Sequence, residues 1–227
     1  SGTYLDAGVT LVAPSNSSVI TPMTTLVSKG NLQASDVADA LGLTGVDLLS
    51  FNPYTSTDTA LALKVEIAAH QVLNLVETMA AAGEASGLTA AAAVEKSVEA
   101  FKGVIVAAKA AGVAINMTDT STTSASKDFN IAAMQENLST EILNSAASEL
   151  KSGITAGAAK AKLDAASATM KEGISTVNSL VESIPDGTLL STDTSDFFSV
   201  GNTLKDQVAK VVTDGTGTVA VANAAVA

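Results

Sequence analysis

The stretch DTALALKVEIAAHQVLNLVETMAAA, residues 58–82, decides the fold of this 227-residue chain. Its apolar side chains recur every three or four residues, from Leu61 and Val65 to Leu75 and Met79. That spacing is typical of an amphipathic α-helix with one face in a protein core. We therefore predict a long helix over about residues 58–82, with Thr57 as its N-cap.

Four further apolar stripes predict four further long helices. They cover, in chain order, Thr89 to Gly112, about 127–151, about 155–183 and about 195–212. Residues 83–87 are predicted to be a loop, and Gly153 is predicted to end the third helix. Three glycines fall inside these helices, at a cost of about 1 kcal/mol each relative to alanine: Gly103, Gly157 and Gly173. Each of them marks either a close helix crossing or a misplaced boundary.

Two short helices are predicted ahead of the long ones. Thr21 followed by Pro22 is an N-cap signal, and that helix should end at Gly30. Ser35 is the predicted N-cap of a second short helix. Together these elements predict an all-α fold, an antiparallel bundle of about five long helices plus short N-terminal helices.

The two ends of the chain have a different pattern. Residues 1–20 alternate between apolar and polar side chains, which is typical of a β-strand. Residues 213–227 alternate similarly around Val219 and Val221. We therefore predict three parts: a strand-like end of a preceding repeat or linker at 1–20, a helical bundle domain at 21–212, and a strand-like tail or linker at 213–227.

The composition excludes several classes of function. All twelve basic residues are lysine, cysteine is absent, there is a single histidine, and the net charge is −11. Cysteine–zinc sites, thiolate nucleophiles and arginine clamps on phosphate are therefore excluded. The negative charge predicts no nucleic-acid partner, and no apolar run approaches the length needed for membrane insertion. No common catalytic motif is present, so we predict that the chain is not an enzyme.

His70 is the candidate cofactor ligand. It lies four residues after Glu66 and four before Asn74, with Glu77 further along the same polar strip of the predicted helix. Imidazole is a common axial ligand for metals and tetrapyrroles, so one interpretation is a ligand-binding histidine. The alternative is a solvated histidine beside a glutamate on a polar helix face. Methionines 79, 134 and 170 have the same two interpretations, a pocket lining or core filling.

Aspartates near the C-terminus are the candidate metal ligands. Asp186, Asp193 and Asp196 lie in a stretch rich in serine and threonine, and Asp214 begins Asp-Gly-Thr-Gly. Calcium prefers several oxygen ligands from such loops, so calcium is a possible cofactor. Neither stretch matches an EF-hand or a glycine-rich calcium repeat, and the alternative is solvated turn residues.

One part of the chain resembles a known kind of module. The segments are Val19-Ile20-Thr21-Pro22-Met23-Thr24-Thr25-Leu26-Val27, Ala40 to Leu43, Val46 to Pro53, and Leu63 to Asn74. Over about residues 1–80 they resemble a helical module of very large, repeat-containing bacterial surface proteins, the adhesin, cadherin-like and haemolysin-type calcium-binding chains. Met23 stands where that pattern usually has leucine. The resemblance implies an extracellular or cell-surface location and no active site.

Two hypotheses of function follow. The first is a non-catalytic structural or adhesive domain of a secreted bacterial cell-surface protein, whose partners are neighbouring domains or subunits of a larger surface assembly. The second is a helical-bundle binding module for a hydrophobic small molecule or pigment, with His70 as a ligand.

Overall fold

The computed structural model describes residues 9–183 and 194–215, with the backbone alone placed at 194–199. The α-helices in these ranges are α1 (Pro22–Gly30), α2 (Ala34–Ala40), α3 (Thr59–Ser86), α4 (Ala90–Ala111), α5 (Ile131–Leu143), α6 (Ala156–Glu182) and α7 (Thr194–Asp214). Short 3-10 turns occur at Pro53–Thr55 and Ala147–Glu149. The described residues contain no sheet, only two isolated β-bridges. The predicted all-α fold is confirmed.

The long helices form a bundle in which each packs on its neighbours in sequence. α3, α4, α5 and α6 form a ring, closed by contact between α6 and α3, and α7 packs on both α3 and α6. Two contacts show that α5 and α6 are antiparallel. Ser139 donates a hydrogen bond to Asp164, and Ser167 donates one to the side-chain oxygen of Gln135 at 2.9 Å. α1 and α2 cover α4 near one end of the bundle.

The predicted apolar stripes form the core, as amphipathic helices require. The buried stripe residues are Val65, Val72, Leu75 and Met79 of α3, Val98, Phe101 and Ile105 of α4, Met134, Leu138 and Ile142 of α5, Leu163, Met170 and Ile174 of α6, and Leu204 and Val208 of α7. Val9 belongs to the same core, and Leu11 packs against it. The described part of residues 1–20 therefore packs onto the bundle and forms no strand there.

A buried polar network joins α3 to α6. The Asn74 amide donates to Oδ1 of Asn178 at 2.9 Å, and the Asn178 amide donates to the Met117 carbonyl at 2.7 Å. One turn earlier in α3, Gln71 donates to Glu182 at 2.9 Å. These pairs run in opposite chain directions, so α3 and α6 are antiparallel, and the network fixes the loop before α5 against both helices.

The first long helix differs from its predicted bounds at both ends. Its N-cap is Asp58, whose carboxylate accepts a hydrogen bond from the Leu61 amide at 2.9 Å, and Thr57 lies outside the helix. The predicted loop at 83–87 is wrong, because α3 continues to Ser86. Gly83 is helical and lies against α4, where an added Cβ would be 3.5 Å from Cβ of Ala93. Its small size serves a close helix crossing there.

The predicted third helix is too long. α5 covers only Ile131–Leu143, with Asn130 as its N-cap, and Gly153 does not end it. Residues after α5 instead pair with the turn between α3 and α4. The Thr89 amide donates to the Glu149 carbonyl, and the Lys151 amide donates to the Gly87 carbonyl, each at 2.8 Å. Backbone pairing with a distant turn therefore replaces the last turns of the predicted helix.

The remaining local predictions have mixed outcomes. Thr21 caps α1 as predicted, whereas α2 begins at Ala34 and takes no side-chain cap from Ser35. Gly103 marks a close crossing, since an added Cβ would be 2.7 Å from the Asn137 amide nitrogen of α5. Gly157 has no atom within 4 Å of that position, so it marks none.

Candidate ligand-binding pocket

A pocket of about 390 Å³ lies between α3 and the segments before it. One wall comes from Leu11 and Ile20, ahead of α1, and from Met23 in its first turn. A second wall comes from the turn after α2, which contributes Phe51 and Tyr54. Ile20 and Tyr54 are 66% and 73% exposed, so the apolar surface of the pocket continues onto its rim.

Hydrogen bonds hold these two walls together. The Ser18 amide and the Ser17 hydroxyl both donate to the Leu49 carbonyl at 2.8 Å, which joins the N-terminal segment to the turn. The Asn52 side chain accepts from the Tyr54 amide at 3.0 Å and starts the 3-10 turn at Pro53. Serine and asparagine are suited to such bonds because their short side chains reach nearby backbone groups.

One face of α3 forms the floor of the pocket. Val65, Ala69 and Leu73 supply its apolar part, and Glu66 and His70 supply its polar groups. The spacing of four residues places Glu66 and His70 on the same side of the helix. The structure therefore brings the predicted candidate ligand and its neighbouring glutamate into a single pocket.

The Glu66 carboxylate is the unusual group in this pocket. The residue is only 4% exposed, and its Oε2 atom has no hydrogen-bond partner. Burial raises the pKa of Glu66, and a hydrogen bond from Tyr54 acts in the opposite direction. Burial and the nearby Glu66 charge raise the pKa of Tyr54 in turn. A buried carboxylate without a full set of partners is costly and marks a candidate functional site.

His70 is partly buried, and burial lowers its pKa. The neutral imidazole is therefore favoured at neutral pH, which is the form that binds metals and accepts hydrogen bonds. Among the described side chains, no three histidine, aspartate or glutamate residues come together to hold a metal ion. His70 thus stays a candidate ligand in an apolar pocket, with Glu66 as the ionisable group next to it along the helix.

The predicted polar strip of α3 is not a solvated face. Of the predicted residues, Glu66 is buried in the pocket and Asn74 is buried against α6, while His70 and Glu77 are partly buried. Sequence reasoning missed Phe51 and Tyr54 as pocket residues. The burial of Glu66 did have a signal in the sequence. Val65, Ile67 and Ala69 lie close to it in α3, so the polar strip is too narrow to form a solvated helix face.

The other candidate residues lie elsewhere. Met79, Met134 and Met170 are buried in the core and do not line this pocket. Asp186 and Asp193 fall outside the described residues, and the side chain of Asp196 does as well. Asp214 is exposed at the end of α7. Eighteen residues of one helix separate Asp196 from Asp214, about 27 Å, so these two do not share an ion site.

No protein-family model matches this chain, and neither does any curated protein or solved structure. None of the helices in the described ranges combines the length and the apolarity needed to cross a lipid bilayer.

Proposed function

We propose that this chain is a non-catalytic binding module that holds a small, largely apolar molecule in the pocket formed by α3, the segment before α1 and the turn after α2. The observation that carries the proposal is the Glu66 carboxylate, buried in an apolar pocket with Oε2 unpartnered. His70 and Tyr54 supply the other polar contacts to the ligand.

The size and lining of the pocket support this proposal. Small-molecule sites are concave, mostly apolar and about 300–1,000 Å³ in volume, with a few polar groups that orient the ligand. This pocket, at about 390 Å³, lies near the lower end of that range. The exposed Ile20 and Tyr54 extend the apolar surface, so the part of an elongated ligand that projects out of the pocket would pack against this rim.

The location remains a second proposal, based on the resemblance over residues 1–80. We propose that the module belongs to a secreted bacterial cell-surface protein, joined to neighbouring domains or subunits of a larger assembly. The acid-rich surface and the absence of cysteine support that setting. A structural or adhesive role is compatible with ligand binding, because a surface module can carry a pocket without catalysing a reaction.

A neutral fluorescent probe tests the binding proposal. Nile red should bind saturably to the wild-type protein, with one site and increased emission. Ala69→Trp places an indole in the pocket and should abolish that binding. Ala165→Trp is the matched control, because Ala165 is exposed on α6 and its substitution leaves the pocket open. Circular dichroism checks that each variant is folded.

Two results would contradict the proposal. The first is the absence of saturable binding to the wild type, and the second is equal binding by a folded Ala69→Trp variant. Should Ala69→Trp not fold, Leu73→Ala serves instead, since it enlarges the floor and should change the probe affinity. An absorption spectrum of protein from its native source tests separately whether the bound molecule is a pigment.

A further inference from the structure

The polar groups of the pocket also indicate which ligand it selects, given that it binds small molecules as proposed above. We infer that the ligand is an amphipathic amine, whose cationic head pairs with Glu66 while its hydrocarbon part fills the apolar walls. This assigns the Glu66 carboxylate as the residue that determines specificity.

The first step concerns what Glu66 lacks. An ionised carboxylate accepts hydrogen bonds through two oxygens, and Oε2 of Glu66 has no donor within reach. The ion pairs among the described residues join lysines to other acidic groups, such as Lys96 to Glu149 at 3.2 Å and Lys109 to Asp36 at 2.6 Å. A buried charge without a counter-charge is destabilising. A ligand that brings a positive charge with N–H donors would offset that cost.

The second step concerns the other residues of the pocket. Phe51 and Tyr54 both line it, and aromatic faces attract ammonium groups. Burial lowers the pKa of His70, so the imidazole does not compete as a positive charge at neutral pH. The lining contains no lysine. An anionic ligand, such as a fatty acid, would instead meet the Glu66 charge and the net charge of −11.

Three probes with the same eight-carbon chain separate the ligand classes. Octylamine, 1-octanol and octanoate compete with Nile red at pH 8, where the amine is a cation. Octylamine should bind about tenfold more tightly than octanol, because hydrogen bonds to a charged partner are about twice as strong as neutral ones. Octanoate should bind most weakly. In Glu66→Gln the ratio of amine to alcohol affinity should fall to about one.

A pH series adds a second measurement. The ionisable residues of the lining are Glu66, His70 and Tyr54. Because burial raises the pKa of Glu66 and lowers that of His70, raising the pH from 5 to 8 favours the charged carboxylate and the neutral imidazole, and both changes favour a cation. The amine affinity should therefore rise over that range, while the octanol affinity should stay flat.

The outcomes distinguish this inference from the binding proposal. If octanol and Nile red bind and Ala69→Trp removes both, but octylamine has no advantage, the amine inference is overturned and the pocket still binds ligands. An amine advantage that persists in Glu66→Gln also overturns it, because it would come from the surface charge of the protein. Glu136→Gln, on the exposed face of α5, is the matched control and should keep the full advantage. If no probe binds, both proposals fail.

Discussion

Glu66→Gln should stabilise the protein in the absence of ligand, although it removes a charged group. The wild-type carboxylate is 4% exposed and its Oε2 atom has no hydrogen-bond partner. A buried, unsatisfied polar group costs about 1–3 kcal/mol, and a charged group costs more than a neutral one. The glutamine amide has a similar shape and carries no charge. We therefore expect the free energy of unfolding to rise by about 1 kcal/mol at pH 8.

The size of this stabilisation must depend on pH. Burial raises the pKa of Glu66, so the folded state binds its proton more tightly than the unfolded state does. The free energy of unfolding of the wild type is therefore highest, as far as Glu66 is concerned, at low pH. It falls as the pH rises from the ordinary carboxyl pKa, about 4.3, through the raised pKa of Glu66 in the folded protein. The advantage of Glu66→Gln should be present at pH 8 and should disappear near pH 4.

Thermal unfolding followed by circular dichroism measures the difference at each pH. For a domain of this size, about 1 kcal/mol corresponds to a rise in Tm of about 2–4 °C. Glu136→Gln makes the same chemical change at an exposed position and corrects for the change in net charge. A Glu66→Gln variant that is destabilised at pH 8, or stabilised equally at pH 4 and pH 8, would refute the assignment of a buried, charged carboxylate.

Three further predictions test the fold by chemical denaturation. Gly87→Ala should destabilise the protein by about 2–5 kcal/mol, because φ is +132° and the new Cβ would be 2.5 Å from Cγ2 of Ile154. Gly112→Ala is the control: its φ is +68° and no atom lies within 4 Å of the new Cβ, so it should cost only about 1 kcal/mol. Asn178→Ala should cost at least about 2 kcal/mol, since it leaves a buried amide and a carbonyl unpaired, and a smaller loss would contradict the network. Asp119→Asn should destabilise the protein at pH 7, because hydrogen bonds from serine hydroxyls and a backbone amide lower the pKa of Asp119. The difference in free energy of unfolding between wild type and variant should shrink as the pH falls below about 3.9, the ordinary aspartate pKa. A difference that stays constant with pH would refute this role of the Asp119 charge.

The bundle could be predicted because its helices carry their own signals. The stripe of α4, with Val98, Phe101 and Ile105, is buried throughout, and Thr21 caps α1 where the sequence indicates a cap. These features depend on residues within four positions of one another. Local spacing is therefore sufficient to identify each helix and its buried face.

The errors in helix bounds come from contacts that are distant in sequence. α5 ends early because the following residues pair with the turn at Gly87 and Thr89. α3 continues past its predicted end because Gly83 fits against Ala93 of the next helix. A single sequence does not show which distant segment competes for a backbone group, so these bounds depended on the structure.

The candidate site was only partly predictable, because some of its features are local in sequence and others are not. The spacing of Glu66 and His70 on one helix is local, and it was identified from the sequence. Their burial is not local, since the walls over them come from the segment at Ile20 and the turn at Phe51 and Tyr54. Those segments are held in place by the bonds from Ser17 and Ser18 to the Leu49 carbonyl, about thirty residues away.

The position of Glu66 also bears on which ligand the pocket selects. Glu66 lies between Val65 and Ile67 under apolar walls, and its Oε2 atom is unpaired, whereas the side-chain amides of Gln71 and Asn74 donate hydrogen bonds to α6. Sequences violate their own packing rules mainly at functional sites, where the cost is offset by what binds there. A leucine at position 66 would remove the unpaired oxygen. A cationic ligand that pairs with the Glu66 carboxylate, as proposed above, would offset the cost of burying it.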